Sequence, residues 1–94
     1  EQRWIATHLR EEVSLGIINP QQYRTACSAW AQAAVRTTAL FTRRFRTTAR
    51  FYQVAAELAF KKEQRLKMGE EGDNTPIIDR LRTELGSLAP QVLA

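Results

Sequence analysis

Cysteine and histidine each occur once in this 94-residue chain, proline three times and glycine four times, and no apolar run approaches the length of a bilayer. Each scarcity excludes something. A lone Cys27 has no partner for an internal disulfide, and small domains of oxidising compartments ordinarily carry several bridges, so a reducing, cytosolic setting is favoured. His8 has no second histidine or cysteine at a ligand spacing, whereas a metal site needs about three or four convergent ligands. No metal or other cofactor is expected. The longest weakly polar run, residues 29–35, is far short of the roughly 18 to 20 residues that span a membrane.

Other patterns are missing as well. There is no glycine-rich phosphate loop, nucleophile elbow or histidine-base arrangement, and Glu70, Glu71, Asp73 and Asp79 lack the periodicity of a calcium loop. We therefore expect no catalytic residue in this chain. No segment alternates apolar and polar residues between turn signals, and no Asn-Gly or Asp-Gly dipeptide marks a hairpin. Strands are not expected.

What is present is basic charge, unevenly placed. Nine of the fourteen Lys and Arg residues lie between Arg36 and Lys67, a stretch of net charge +7, while the rest of the chain sums to −3. With 44% apolar residues the whole chain, 1–94, fits one domain with one core. It opens at Glu1 without an initiator methionine and reads as part of a longer protein.

The periodicities predict an all-α fold, a compact bundle of about four helices over residues 2–15, 20–36, 44–68 and 76–89. In the first, Trp4, Ile5, Leu9 and Val13 form an apolar stripe with Arg3, Arg10, Glu11 and Glu12 turned away, and Gly16 ends it. His8 and Glu12, four apart, suggest a local hydrogen bond. Asn19 as N-cap, Pro20 at the first helical position and Gln22 at the third open the second helix, with Ile18 and Tyr23 as a hydrophobic staple.

A helix unbroken from Pro20 to Lys67 would be about 48 residues and roughly 72 Å long. The threonine-rich stretch around residues 36–46 is therefore expected to interrupt it. Thr75 followed by Pro76 starts the last helix, which Pro90 should end. The expected core is Trp4, Ile5, Leu9, Ile18, Tyr23, Trp30, Phe45, Tyr52, Leu58, Leu81 and Leu85.

Projected at 100° per residue, the third helix gathers Phe41, Phe45, Tyr52, Ala55, Ala59 and Leu66 on one side. Arg43, Arg46, Arg50, Lys61 and Arg65 fall nearly opposite, with Val54 among them. Together with Arg44 and Lys62 these make a candidate basic interaction face. Its partner would be an acidic protein surface, anionic lipid headgroups or nucleic-acid phosphate.

The plainer alternative is a solvated face whose arginines pair with Glu57, Glu63 and the acidic loop. Sequence-specific DNA reading fits poorly, because Gln21, Gln22 and Arg24 give way to an alanine-rich surface. A nucleic-acid-binding module using the same arginines is nevertheless the second functional reading. The spacing of Ile78, Leu81, Leu85 and Leu88 offers a third, self-association.

The phrases RWIATHLREEV, GIINPQQYRTACS, RFYQVAAELAFKKEQ and IIDRLRTELGSLAP resemble the C-terminal region of actinobacterial PrsW-type intramembrane metalloproteases. The resemblance covers most of the chain in helical pattern rather than in a chemical motif. The family's paired-glutamate E-E-x-x-K, F-x-x-x-E and H-x-x-x-D motifs are all missing here, so it supplies no catalytic residue. It implies a non-catalytic accessory or interaction domain on the cytoplasmic side, tethered to the inner membrane through a parent protease-like protein. That protein or a separate one would be its partner.

Overall fold

Residues 2–35, 43–68 and 74–92 are described by a computed structural model of the chain, and they form five helical segments with no strand among them. These are α1 (Gln2–His8), α2 (Arg10–Ser14), α3 (Pro20–Val35), α4 (Arg43–Met68) and α5 (Thr75–Val92). The all-α class holds. The expected first helix is divided at Leu9, whose φ of −98° and ψ of 3° leave the helical region. The amides of Leu9 and Val13 nevertheless still reach the carbonyls of Ile5 and Leu9, at 2.9 and 3.2 Å, so the axis bends rather than breaks.

The turn between the first helices and α3 forms for the reasons its residues give. Gly16 adopts φ +74°, its amide donates to the Val13 carbonyl at 3.0 Å, and the Ile17 amide donates to the Glu12 carbonyl at 3.0 Å. This is the Schellman arrangement, which satisfies carbonyls that a helix end leaves open. Three residues on, Asn19 Oδ1 accepts from the Gln21 amide at 2.8 Å, and the Asn19 carbonyl takes the first helical bond from Tyr23. Ile18 and Tyr23 are both buried, in the same core cluster.

α5 starts one residue earlier than the Thr75–Pro76 pair suggests. The Asn74 carbonyl accepts the first helical bond, from Ile78, and its Nδ2 donates to the Lys61 carbonyl at 2.9 Å, tying the start of α5 to α4. The helix also runs on past Pro90 to Val92. A proline in the last turn forfeits one backbone bond, and Ala89 and Val92, both almost fully buried, hold that turn against the core.

The core joins α1, α3, α4 and α5. It contains Ile5, Leu9, Ile18, Tyr23, Phe51, Tyr52, Val54, Leu58, Ile78, Leu81 and Leu85, with the Tyr23 and Phe51 rings 6.2 Å apart at 53°. α5 packs most extensively on α4. Ile78, Leu81 and Leu85 are buried and Leu88 packs against them, so the seam read as a self-association surface is consumed inside the fold. The molecule measures 45 × 23 × 20 Å, its long dimension close to that of the 26-residue α4.

One core assignment and one position on the wheel need correction. Trp4 is at the surface, 37% exposed, with its indole N–H donating to Glu63 Oε2 at 3.0 Å, because Ile5 and Leu9 take the inward positions instead. Leu66, placed on the apolar side of the wheel, is 79% exposed. Trp30, Phe41 and Phe45 lie outside the described residues as side chains, as do the acidic residues Glu70, Glu71 and Asp73; of the interruption expected at 36–46, residues 36–42 lie outside the described residues and 43–46 are already helical in α4.

Gly16 makes one prediction. A Cβ there would meet no atom within 4 Å, so only the left-handed backbone opposes a side chain. Gly16→Ala should cost about 1 to 2 kcal/mol in urea unfolding with the fold retained by circular dichroism.

Candidate interaction face and the buried ion cluster

Glu12 was expected to face solvent and is 0% exposed. It stands seven residues after Ile5 and three after Leu9, which places it on their stripe as surely as an apolar residue would be. Its two oxygens are both taken. Oε2 accepts from Lys62 Nζ at 2.6 Å and Oε1 accepts from Arg82 Nε at 2.5 Å. α2, α4 and α5 thus meet on one carboxylate.

Lys62 is 8% exposed and spends all three of its donors locally: on Glu12, on the His8 carbonyl at 2.7 Å and on Glu11 Oε2 at 3.1 Å. Glu11 also lies 3.3 Å from Arg82 Nη2, a Coulombic contact without hydrogen-bond alignment. Two acids and two bases leave the cluster neutral. Its chemistry is that of a structural clamp, with both Glu12 oxygens and all three Lys62 donors engaged.

Lys62 therefore leaves the basic interaction face. The reason is rotational: the buried side of α4 centres on Phe51, Leu58 and Lys62, roughly 60° away from the phenylalanine side inferred from the wheel. Val54, which lay among the arginines on that wheel, is fully buried. Arg50 is exposed but paired, Nε to Glu84 Oε1 of α5 at 2.6 Å, and this hydrogen bond holds its guanidinium above the ordinary arginine value.

Arg46 is exposed, Lys61 and Arg65 are half-buried, and none of the three makes an ion pair with a described carboxylate. Arg43 and Arg44 lie outside the described residues as side chains. The five described side chains of the face read from sequence thus divide into a buried lysine, a paired arginine and three cations without an ion pair.

A second surface cluster sits where α1 crosses α4. Glu63 accepts from Trp4, lies 3.5 Å from His8 Nε2 and pairs with Lys67 at 3.2 Å, while the Trp4 and His8 rings meet in a tilted contact, centroids 4.8 Å apart at 54°. His8 faces Glu63 rather than Glu12. The hydrogen bond from Lys67 holds the Glu63 carboxyl below its ordinary value, and that from Lys62 does the same for Glu11. Burial pushes the Tyr23 phenol and the Cys27 thiol up from their ordinary values.

Among the described residues, no group of three His, Cys, Asp or Glu could hold a metal ion, and no helix is long and apolar enough to cross a membrane. A shallow cleft of about 390 Å³ lies between the turn at Gly16–Pro20 and the end of α5 at Gly86–Pro90. No charged side chain lines it. Comparison with protein-family models, with curated proteins and with solved structures finds no match to this chain.

The neighbours Lys61 and Lys62 should behave oppositely. Lys62→Ala leaves Glu11 and Glu12 with only Arg82 and should destabilise by about 3 to 5 kcal/mol, whereas Lys61→Ala should stay within about 0.5 kcal/mol; paired urea titrations read the difference. The depressed carboxyls set an acid limit. Because Glu11 and Glu63 bind protons less readily folded than unfolded, their stabilisation is present above about pH 4.3 and is lost as pH falls through the lower folded values. The melting temperature should drop on acidification from pH 5 to pH 3, and less so in Lys67→Ala.

Proposed function

We propose that the chain is a non-catalytic interaction domain whose α4 presents a basic flank, Arg46, Lys61 and Arg65, to an anionic partner, foremost an acidic protein surface. One observation carries this reading. Glu11, Glu12, Glu63 and Glu84 are all engaged in ion pairs, while Arg3, Arg10, Arg24, Arg46, Lys61, Arg65 and Arg80 make no close ion pair with a described carboxylate, Arg65 acting on Glu11 only at longer range. Only Glu57 and Asp79 remain on the acidic side among described residues. Unpaired surface cations attract anions over about a Debye length.

The similarity of four sequence phrases to PrsW-type proteins supports a finer version. In it the domain is a bundle in which α1 and α2 act as one bent helix, and it belongs to the cytoplasmic side of a protease-like protein of the inner membrane. Basic residues near the bilayer on that side accord with the excess seen here. No reaction is assigned to the chain.

The reading is tested by titrating a labelled, glutamate-rich 20-residue peptide against the wild type and an Arg46→Glu, Lys61→Glu, Arg65→Glu variant. We expect the variant to bind at least tenfold more weakly, and wild-type affinity to fall with added salt. Equal binding by the two proteins would end the proposal. A random duplex that outcompetes the peptide would replace it with the nucleic-acid reading.

A further inference from the structure

Of the two acids in the ion cluster, Glu12 alone is enclosed. Its carboxylate is fully buried and hydrogen-bonded on both oxygens, whereas the Glu11 side chain is 52% exposed and its contacts are longer, 3.1 Å to Lys62 Nζ and 3.3 Å to Arg82 Nη2. Arg82 Nη2 is buried and, despite that contact, has no hydrogen-bond partner. Arg65 also acts on Glu11, at longer range. Three cations from two helices thus converge on one half-exposed carboxylate. Without it, Lys62 and Arg82 would share Glu12 alone, leaving one positive charge uncompensated and that of Arg65 beside it.

This position adjoins the basic flank. Around α4, Lys61, Arg65 and Lys62 follow one another within roughly 100° of arc. Exposed Glu57 interrupts the flank one turn before Lys61, so Glu11 lies over the end at which the cations are continuous.

We infer that Lys62, Arg82 and Arg65 form a carboxylate-binding subsite at the end of the basic flank, that Glu11 occupies it in the free domain, and that a carboxylate of the acidic partner replaces Glu11 on docking. The inference rests on the basic flank being a docking surface and names how access to it is held. An arginine N–H beside an ammonium suits a carboxylate, which accepts from both at once. An ion pair as exposed as that of Glu11 contributes little to a fold, so its exchange leaves the Glu12 clamp intact. Because Glu11 is tethered, it competes at a high effective concentration. Only a partner that places a carboxylate on this spot displaces it, and a diffuse negative surface does not.

The labelled glutamate-rich peptide is titrated against wild type, Glu11→Ala and Asp79→Ala at one salt concentration. Asp79 is exposed, makes no ion pair with a described cation and also acts on Arg82, so its removal changes the net charge equally near the same cluster without vacating the subsite. Glu11→Ala should bind at least threefold more tightly than either wild type or Asp79→Ala. In isotope-labelled wild type, the side-chain carboxyl resonance of Glu11 should move on saturation with peptide while that of Glu12 stays. Equal gains in the two variants would reveal an effect of net charge alone and overturn the subsite, leaving the basic flank standing; an unchanged or weaker Glu11→Ala complex would do the same. Should Glu11→Ala fail to fold, the resonance decides, and an unmoved Glu11 carboxyl in saturated wild type ends the inference. Absence of binding by all three proteins would end both readings.

Discussion

The carboxylate of Glu12 is the constraint on which the arrangement of this molecule depends. An ionised carboxylate removed from water carries a penalty of several kcal/mol even after relaxation, and only close cations with good hydrogen-bond geometry offset it. Lys62 from α4 and Arg82 from α5 provide those contacts on opposite oxygens. Apolar packing between smooth helices tolerates small slides and rotations; a doubly bonded carboxylate does not. The same residue's carbonyl accepts the Ile17 amide in the turn after α2, so its main chain ends one element while its side chain aligns two others.

Several features that look unrelated follow from this. With Lys62 drawn inward, α5 lies along the flank of α4 that holds Val54 and Leu58, and Arg50 comes within reach of Glu84. The Asn74 side chain bonded to the Lys61 carbonyl sets where α5 begins. Apolar area still supplies most of the stabilisation, through Phe51, Leu58, Ile78 and Leu85. The ion cluster decides which apolar residues meet which.

This division explains what could be read from the sequence and what could not. The turn Leu15–Tyr23 was legible because its signals are local: Gly16 takes a positive φ, Asn19 caps, Pro20 starts the helix, and each acts within a few residues. The helical class and most of the core were legible from period. Glu12 and Lys62 were not, because a wheel assigns charged residues outward by type, while their burial depends on partners 50 and 70 positions from Glu12 along the chain. The same error rotated α4 and made Leu66 look apolar-facing. Trp4 misled for a related reason: its large ring suggested the core, but its N–H needed an acceptor and found Glu63 at the rim. Pro90 was read as a stop, although a proline in a final turn loses little when Val92 beyond it is buried.

The exposed Phe60 is best understood through the same carboxylate. Phe60 precedes Lys62 by two positions and so points roughly 160° away from it around α4. Turning the helix to bury the ring would carry the ammonium outward and leave Glu12 with one cation instead of two, exchanging about 1.5 to 3 kcal/mol of side-chain burial for the roughly 3 to 5 kcal/mol cost of breaking a buried pair. The fold therefore keeps the ring outside. Its exposure is a consequence of the internal clamp: the burial forgone at Phe60 is smaller than the pairing kept at Glu12.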